Sequence, residues 1–372
     1  MRYRVVLHIN SNYGLLYHAA KIFSGLDALR RSGLVSVQAK VEAESSGRVL
    51  LVDAIDLERN VRRRLGFELS DHSTFFCETG LTRCDVYFKR NFFPPHAERL
   101  RPEQRSKIVP FGLNYACANQ TSRAWVLGRW SWAVAKTLRR SPREGAARLR
   151  QWLAELRLYA ALRGSSAFER VPDAAVLPAV LFQTRVWPPE ETAEHLDQIN
   201  EERVALIRQL RKVLGARFHG GIVPTPFARQ HYPDVLLPEG YRHGDYIDVM
   251  HRYLVGIATR GLHDSIAFKL PEYLAGSLCI VSEPLHNDLP QPLIAGQHYL
   301  GFRSTDECIG QCERLLSHPA EAREMRRHNF DYYRRWVEPG AHLLDCLDRG
   351  LGEGAALAGA PDTPGGRHAP AA

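Results

Sequence analysis

The feature that most constrains this chain is a rhythm of strand, loop and helix that it runs through twice. Apolar residues at 4–9 predict a strand, residues 10–14 a polar turn, and residues 15–31 a helix that Gly33 ends. Further strands are expected at 48–53, 85–88 and 107–109, with helical segments between them. The run Val171-Pro172-Asp173 breaks the pattern. A second series follows, with strands at 179–182, 217–223, 254–258, 278–282 and 299–302. Its helices are expected at 190–214, 246–252, 271–275, 306–316, 319–337 and 340–347. Such alternation buries a mainly parallel sheet under helices, which predicts an α/β protein of two units, residues 1–172 and 173–348. The final helix is free to return to the first unit, and residues 349–372, rich in Gly, Ala and Pro, are expected to form a disordered tail.

A chain of 372 residues, 45% hydrophobic and 24% charged, is long enough for two cores and excludes a disordered or fibrous protein. No run approaches eighteen apolar residues, and residues 5–9 are too few for a secretory signal, so a cytoplasmic location is expected. Seven cysteines without a Cys-x2-Cys pair predict reduced thiols. Cys308 and Cys312 stand four apart on an expected helix, but no second ligand pair accompanies them, so no metal site is assigned. Only 7 of the 49 basic residues are lysine, which makes a lysine near a site worth noticing.

The net charge of +8 has one address. Residues 122–163 hold ten basic residues against Glu144 and Glu155, and the rest of the chain is balanced at 39 against 39. Ser141-Pro142 divides this stretch into two helices, with apolar stripes Val126, Trp130, Val134, Leu138 and Leu149, Trp152, Leu153, Leu156, Ala160. Two uses fit: packing on the first unit with arginines in solvent, or contact with an anionic lipid surface on the inner face of a membrane. No nucleic-acid-binding module accompanies the charge, so nucleic acid is not the expected partner.

Chemistry concentrates at residues 259–284, which read as strand, loop, short helix, glycine stop and buried strand. Pro271 in the first helical turn and Gly276 just past the end aim the helix start at residues 264–270. Helix-end amides together with Lys269 suit a diphosphate, and Asp264 and Glu272, eight apart, suit sugar hydroxyls.

These residues resemble the GT-B glycosyltransferases, in particular the group-one sugar-nucleotide enzymes, whose donor domain carries Glu-x7-Glu before an Ala-Gly turn. The resemblance implies two Rossmann-like α/β/α domains facing a central cleft, here with a helical basic insertion in the first. It implies that Glu272 binds the ribose of a nucleotide and that Asp264, one methylene shorter than the family's usual Glu, contacts the donor sugar as a catalytic residue. Residues 180–190 look like the family's first donor strand and loop, so Arg185 would reach the diphosphate. The lysine that commonly follows is Glu190 here, which leaves Lys269 to supply the second positive charge; Ser265 lies beside it in the same loop. Residues 10–18 are similar to the family's acceptor-facing loop, in which Gly14 lets the backbone come close and His18 stands one turn into the helix as a second catalytic candidate.

The activity so implied is transfer of a sugar, with retention, from a UDP- or GDP-linked donor to a glycan or lipid-linked acceptor in bacterial envelope polysaccharide assembly, with no tightly bound cofactor and no metal. No Asp-x-Asp, Gly-x-Gly-x-x-Gly, Gly-x4-Gly-Lys-Ser/Thr or His-Glu-x-x-His occurs, which argues against metal-clamped transfer, dinucleotide oxidoreduction, P-loop hydrolysis and zinc proteolysis. A non-catalytic protein that docks on anionic lipid or nucleic acid through the basic helices remains the alternative.

Overall fold

Alternating side chains build the first sheet. In β1 (Tyr3–Ile9) the residues Tyr3, Val5, Leu7 and Ile9 are fully buried, while Arg4 between them faces solvent. A computed structural model describes residues 1–9, 16–42, 49–189, 195–238 and 243–352. The first sheet adds β2 (Val35–Val41), β3 (Val49–Asp56), β4 (Val61–Glu68), β5 (Val86–Lys89) and β6 (Ile108–Pro110), in the order β2-β1-β3-β4-β5-β6. The second contains β7 (Leu177–Thr184), β8 (Phe218–Ile222), β9 (Tyr253–Ala258), β10 (Cys279–Ser282) and β11 (Leu300–Gly301), in the order β11-β10-β9-β7-β8, all parallel.

The first sheet corrects the expected strand and helix alternation. Strands β2 and β4 occupy stretches where helical segments were expected, and β3 runs antiparallel to both β1 and β4. The alternation of Val35, Val37, Ala39 and Val41 is a two-residue period read as none, and Arg62 and Arg64 disguise β4 by pointing away from the core toward Asp53 on β3. Arg64 Nε lies 2.6 Å from Asp53 Oδ1. The β3–β4 hairpin closes through Asn60 at φ 54° and an Asp56 carboxylate that accepts from the amides of Glu58 and Arg59.

The longer helices are α1 (Leu16–Arg31), α2 (Gln120–Arg140), α3 (Pro142–Ala160), α4 (Leu196–Leu214), α5 (His243–Met250), α6 (Lys269–Ala275), α7 (Thr305–Ser317), α8 (Pro319–Tyr332) and α9 (Pro339–Leu351). Gly33, at φ 75°, stops α1 as expected. The chain serves the second unit through α8, where Asn329 and Arg326 donate to the carbonyls of Leu278 and Ser277. A π-helical turn at Tyr333–Val337 redirects it, and α9 packs on α1, adding Leu343, Cys346, Leu347 and Leu351 to the first core. The approach is close: a Cβ on Gly25 of α1 would stand 2.3 Å from the Pro339 carbonyl oxygen. Helix α9 reaches Leu351, into the span expected to be a disordered tail, and residues 353–372 lie outside the described residues.

Helices α2 and α3 are a packed insertion on α1. Val126, Trp130 and Val134 are buried, with Trp130 5.3 Å from Phe23 between ring centroids. In α3 the core face is Trp152, Leu156 and Tyr159, whereas Leu149, Leu153 and Ala160 of the expected stripe are exposed. Among the described residues no helix is long and apolar enough to cross a membrane.

The carboxyl ends of both sheets converge. The ring of Phe268, before α6, lies between first-unit side chains, with Tyr17 stacked at 5.9 Å, His18 edge-on at 5.7 Å and the Arg90 guanidinium 4.3 Å from its centroid. The Ile266 amide donates to Asn91 Oδ1 at 3.3 Å, and the Asp288 amide to the Phe92 carbonyl at 2.7 Å. Two Rossmann-like units facing one cleft make the GT-B arrangement that the resemblance implies.

Candidate functional site

Sites in open α/β sheets form where strands end and loops begin, because helix starts and free loop backbone gather there. On the second unit Thr184 ends β7 and delivers Arg185, whose side chain is exposed. Ala258 ends β9 and opens the loop 259–268, which leads into α6 with Lys269 as its first residue and Glu272 in its first turn. Glu272 is 6% exposed and Lys269 partly buried, so they are not a solvated ion pair on a helix surface.

Burial dominates the electrostatics of this pair. It pushes the Glu272 carboxyl up, opposed by Lys269 and by the nearby Tyr246 hydroxyl. It pushes the Lys269 ammonium down, opposed by Glu272 and reinforced by Arg185 and Arg203. Lys269 Nζ also sits 3.8 Å from the Tyr246 ring centroid. Tyr17 across the cleft belongs to the same electrostatic group: burial, then Glu272, raises its hydroxyl to about 12, and Arg185 and Arg90 oppose the rise. Arg185, Lys269 and Glu272 thus lie within electrostatic reach of one another, and Arg185 and Glu272 within that of Tyr17.

The remaining expected residues are placed as follows. Asp264 is two-thirds exposed, at φ 54°, with its Oδ1 3.8 Å from Arg260 Nε and its carbonyl oxygen accepting from Asn287 Nδ2. Arg260 is the hub of that loop, donating to Glu283 at 3.0 Å and to Glu202 at 2.5 Å. Ser265 is buried; its hydroxyl stands 2.3 Å from where a Cβ on Gly261 would be, and its carbonyl accepts the Gly261 amide. His18 reaches the cleft through its contact with Phe268. Gly14, and Glu190 in the donor loop, lie outside the described residues. Among the described residues no cluster of three His, Cys, Asp or Glu is arranged to hold a metal ion.

The first unit contributes residues that sequence reasoning missed. Glu68 at the end of β4 and the four residues after it interlock with three at the end of β5: Lys89 donates to Glu68 and to the His72 carbonyl, Arg90 to Asp71 and the Leu69 carbonyl, and Asn91 to the Ser70 and Asp71 carbonyls. Burial alone would raise the Asp71 carboxyl; Arg90, with a smaller share from His18, outweighs it and holds Asp71 below its ordinary range. His72 stacks on His263 of the donor loop with ring centroids 3.5 Å apart. One available signal was Lys89, a rare lysine on an apolar strand followed by Arg-Asn where the strand ends.

With this geometry in place, comparison with known proteins adds a family. Residues 190–338 match the model of a family described as glycosyl transferase-like. The matched residues all lie in the second unit. That match covers the loop 259–268, α6 with Lys269 and Glu272, and the hub Arg260. No curated protein matches the chain. Among solved structures, S. aureus MnaA in a co-structure with UDP is similar at 8% identity, over 92% of this chain and 94% of that one, with a TM-score of 0.37. The UDP-GlcNAc 2-epimerase of Neisseria meningitidis, bound to UDP-GlcNAc, is similar at 12% identity over 73% of this chain and 62% of its own length, with a TM-score of 0.36. The C-terminal domain of a glycosyl transferase group 1 family protein from Francisella tularensis is similar at 8% identity over 42% of this chain and 83% of that one, with a TM-score of 0.28.

Proposed function

We propose that the protein is a glycosyltransferase that binds a nucleotide-diphosphate sugar in the cleft and passes the sugar to a glycan or lipid-linked acceptor. The observation that carries this reading is that Arg185, Lys269 and Glu272 lie within electrostatic reach of one another opposite Tyr17, with Lys269 and Glu272 inside the segment that matches a glycosyl transferase-like family. Two cations fit a diphosphate and stabilise it as a leaving group, and the buried Glu272 carboxyl fits a ribose diol. Asp71 and His18 face the same space from the first unit, where the acceptor would enter.

UDP and GDP, with their sugar conjugates, form the test panel, read by thermal protection and by turnover. One or more should protect the wild type, and Glu272→Gln and Lys269→Met should each weaken that nucleotide about tenfold, the size of one charge-assisted hydrogen bond. If no nucleotide diphosphate protects the wild type, the reading fails.

A second observation favours a lipid-linked acceptor. Trp132 is 56% and Leu158 55% exposed, with Leu153 also in solvent, and Arg129, Arg139, Arg143, Arg150 and Arg157 are exposed on the same two helices. Trp130 and Trp152 point inward, so any membrane contact uses Trp132 rather than a row of tryptophans. Exposed apolar side chains beside arginines suit an anionic bilayer, at about 1 kcal/mol per engaged basic residue. Co-sedimentation with anionic phospholipid vesicles should be strong at low salt, and should fall more than tenfold at high salt or when Arg139, Arg143 and Arg150 are changed to Glu. Wild-type protein left in the supernatant at low salt would assign these helices to packing alone.

A further inference from the structure

Helix α4 lies behind the cleft, yet one of its side chains reaches both loops that flank it. Arg203 is 4% exposed. Its Nη1 donates to the carbonyl oxygen of Arg185 at 2.8 Å, and its Nη2 to the carbonyl oxygen of Arg260 at 2.5 Å. Its guanidinium also lies 4.4 Å from the centroid of Trp187, whose backbone amide and carbonyl are both held by the Asn200 side chain, at 3.1 and 2.9 Å. Asn200 and Arg203 are neighbours at i, i+3 on one face of the helix.

We propose that Arg203 is a positioning residue for the donor site: by bonding the Arg185 and Arg260 carbonyls with one guanidinium, it sets the distance between the loop that presents Arg185 and the loop that presents Asp264. The ligand half of this inference rests on the nucleotide-sugar reading above. The two loops are 75 residues apart in sequence and leave different strands, β7 and β9, so the strands fix where they start but not where their tips point. A guanidinium is planar and presents its donors in a fixed fork, so the two carbonyls it bonds acquire a fixed separation and angle; a lysine, as a single point donor, cannot impose both. Burial of the Arg203 side chain makes the arrangement costly to lose, because the guanidinium would be left buried without these partners. Arg260 completes the link on the second loop, since its own side chain is held by Glu283 and, from α4 itself, by Glu202. The 19-residue helix therefore grips the Asp264 loop through Arg203 and Glu202 and the Arg185 loop through Arg203 and Asn200.

Amide hydrogen exchange and nucleotide affinity, measured on the whole protein, test this together. In Arg203→Met, exchange should rise at least tenfold in residues 185–187 and in residues 259–264 at the same time, with α4 itself unchanged. Arg203→Lys should show a smaller rise in both loops. Leu206→Val, another buried change in α4, controls for general loosening and should affect neither loop. UDP and GDP affinities give the second readout. The nucleotide that binds the wild type should bind Arg203→Met about tenfold more weakly. The Arg185→Gln penalty, several-fold in the wild-type background, should shrink below twofold in Arg203→Met, because a mispositioned Arg185 has little left to lose. Exchange that rises in one loop only or in neither, or an Arg185→Gln penalty that stays the same in both backgrounds, overturns the proposal. If neither nucleotide binds the wild type, the nucleotide reading is what fails, and the exchange result alone upholds or overturns the coupling of the two loops.

Discussion

Lys89→Met is expected to destabilise the protein by about 3–5 kcal/mol, the range for removing one partner of a buried ion pair. Lys89 and Glu68 are both fully buried, on the adjacent parallel strands β5 and β4, with their residues paired in register. Burial pushes the Glu68 carboxyl up and the Lys89 ammonium down, and each is offset chiefly by the other. Without the ammonium, Glu68 keeps one backbone donor, the Ser70 amide at 2.7 Å, and must take up a proton to stay buried. A folded-state carboxyl raised above its unfolded value binds more protons in the native state, so stability falls as pH rises from the ordinary carboxylate range. Denaturant unfolding should accordingly show a larger loss at pH 8 than at pH 5, and Glu68→Gln with Lys89→Met should recover more than half of it. A loss below 1 kcal/mol at pH 8 would contradict this account. The loop 69–72 should loosen as well, because Lys89 also holds the His72 carbonyl, at 2.6 Å.

Lys21 should give the steepest pH effect. Lys21 is buried between the first core and the segment that joins β6 to α2, where its Nζ donates to the Leu113 carbonyl at 2.6 Å. Burial lowers it to about 7, with nearby Cys117, Cys346 and Glu338 opposing the shift. The unfolded chain holds this proton up to the ordinary lysine range, so between about pH 7 and that range the unfolded state binds more protons than the folded one. Stability due to Lys21 therefore rises with pH across that window, at up to about 1.4 kcal/mol per unit. Comparison with Lys21→Met cancels the other titrating groups. From pH 7 to pH 10 the wild type should gain roughly 3 kcal/mol relative to the variant, and a difference that does not change with pH would show that Lys21 titrates normally.

How much of this was legible in the sequence follows from distance along the chain. The second-unit side of the cleft is local: Asp264, Lys269 and Glu272 lie within one strand, loop and helix, so their spacing carried the signal. Arg185 was legible only as the end of a strand. The first-unit side of the cleft is assembled from Tyr17, Asp71, Arg90 and Asn91, which α1 and the segments after β4 and β5 bring together and no spacing announces. Strands β2 and β4 escaped for different reasons, β2 because Lys40 and Gln38 dilute a short alternation, β4 because three arginines hide it. The basic helices were legible as amphipathic, but which stripe faces inward depends on where α1 lies, and Leu149 and Leu153 went to the other side.

The return of α9 bears on the order in which the chain can be made. Residues 343–351 supply four side chains to a core that begins at Tyr3, so as the chain leaves the ribosome the first sheet and α1 must wait, with that flank uncovered, for some three hundred residues to be synthesised. The second unit, lying between, has its whole sheet and α8 available earlier. Although its sequence comes later, it is the unit that can finish first, and the amino-terminal unit is the last part of the molecule to close.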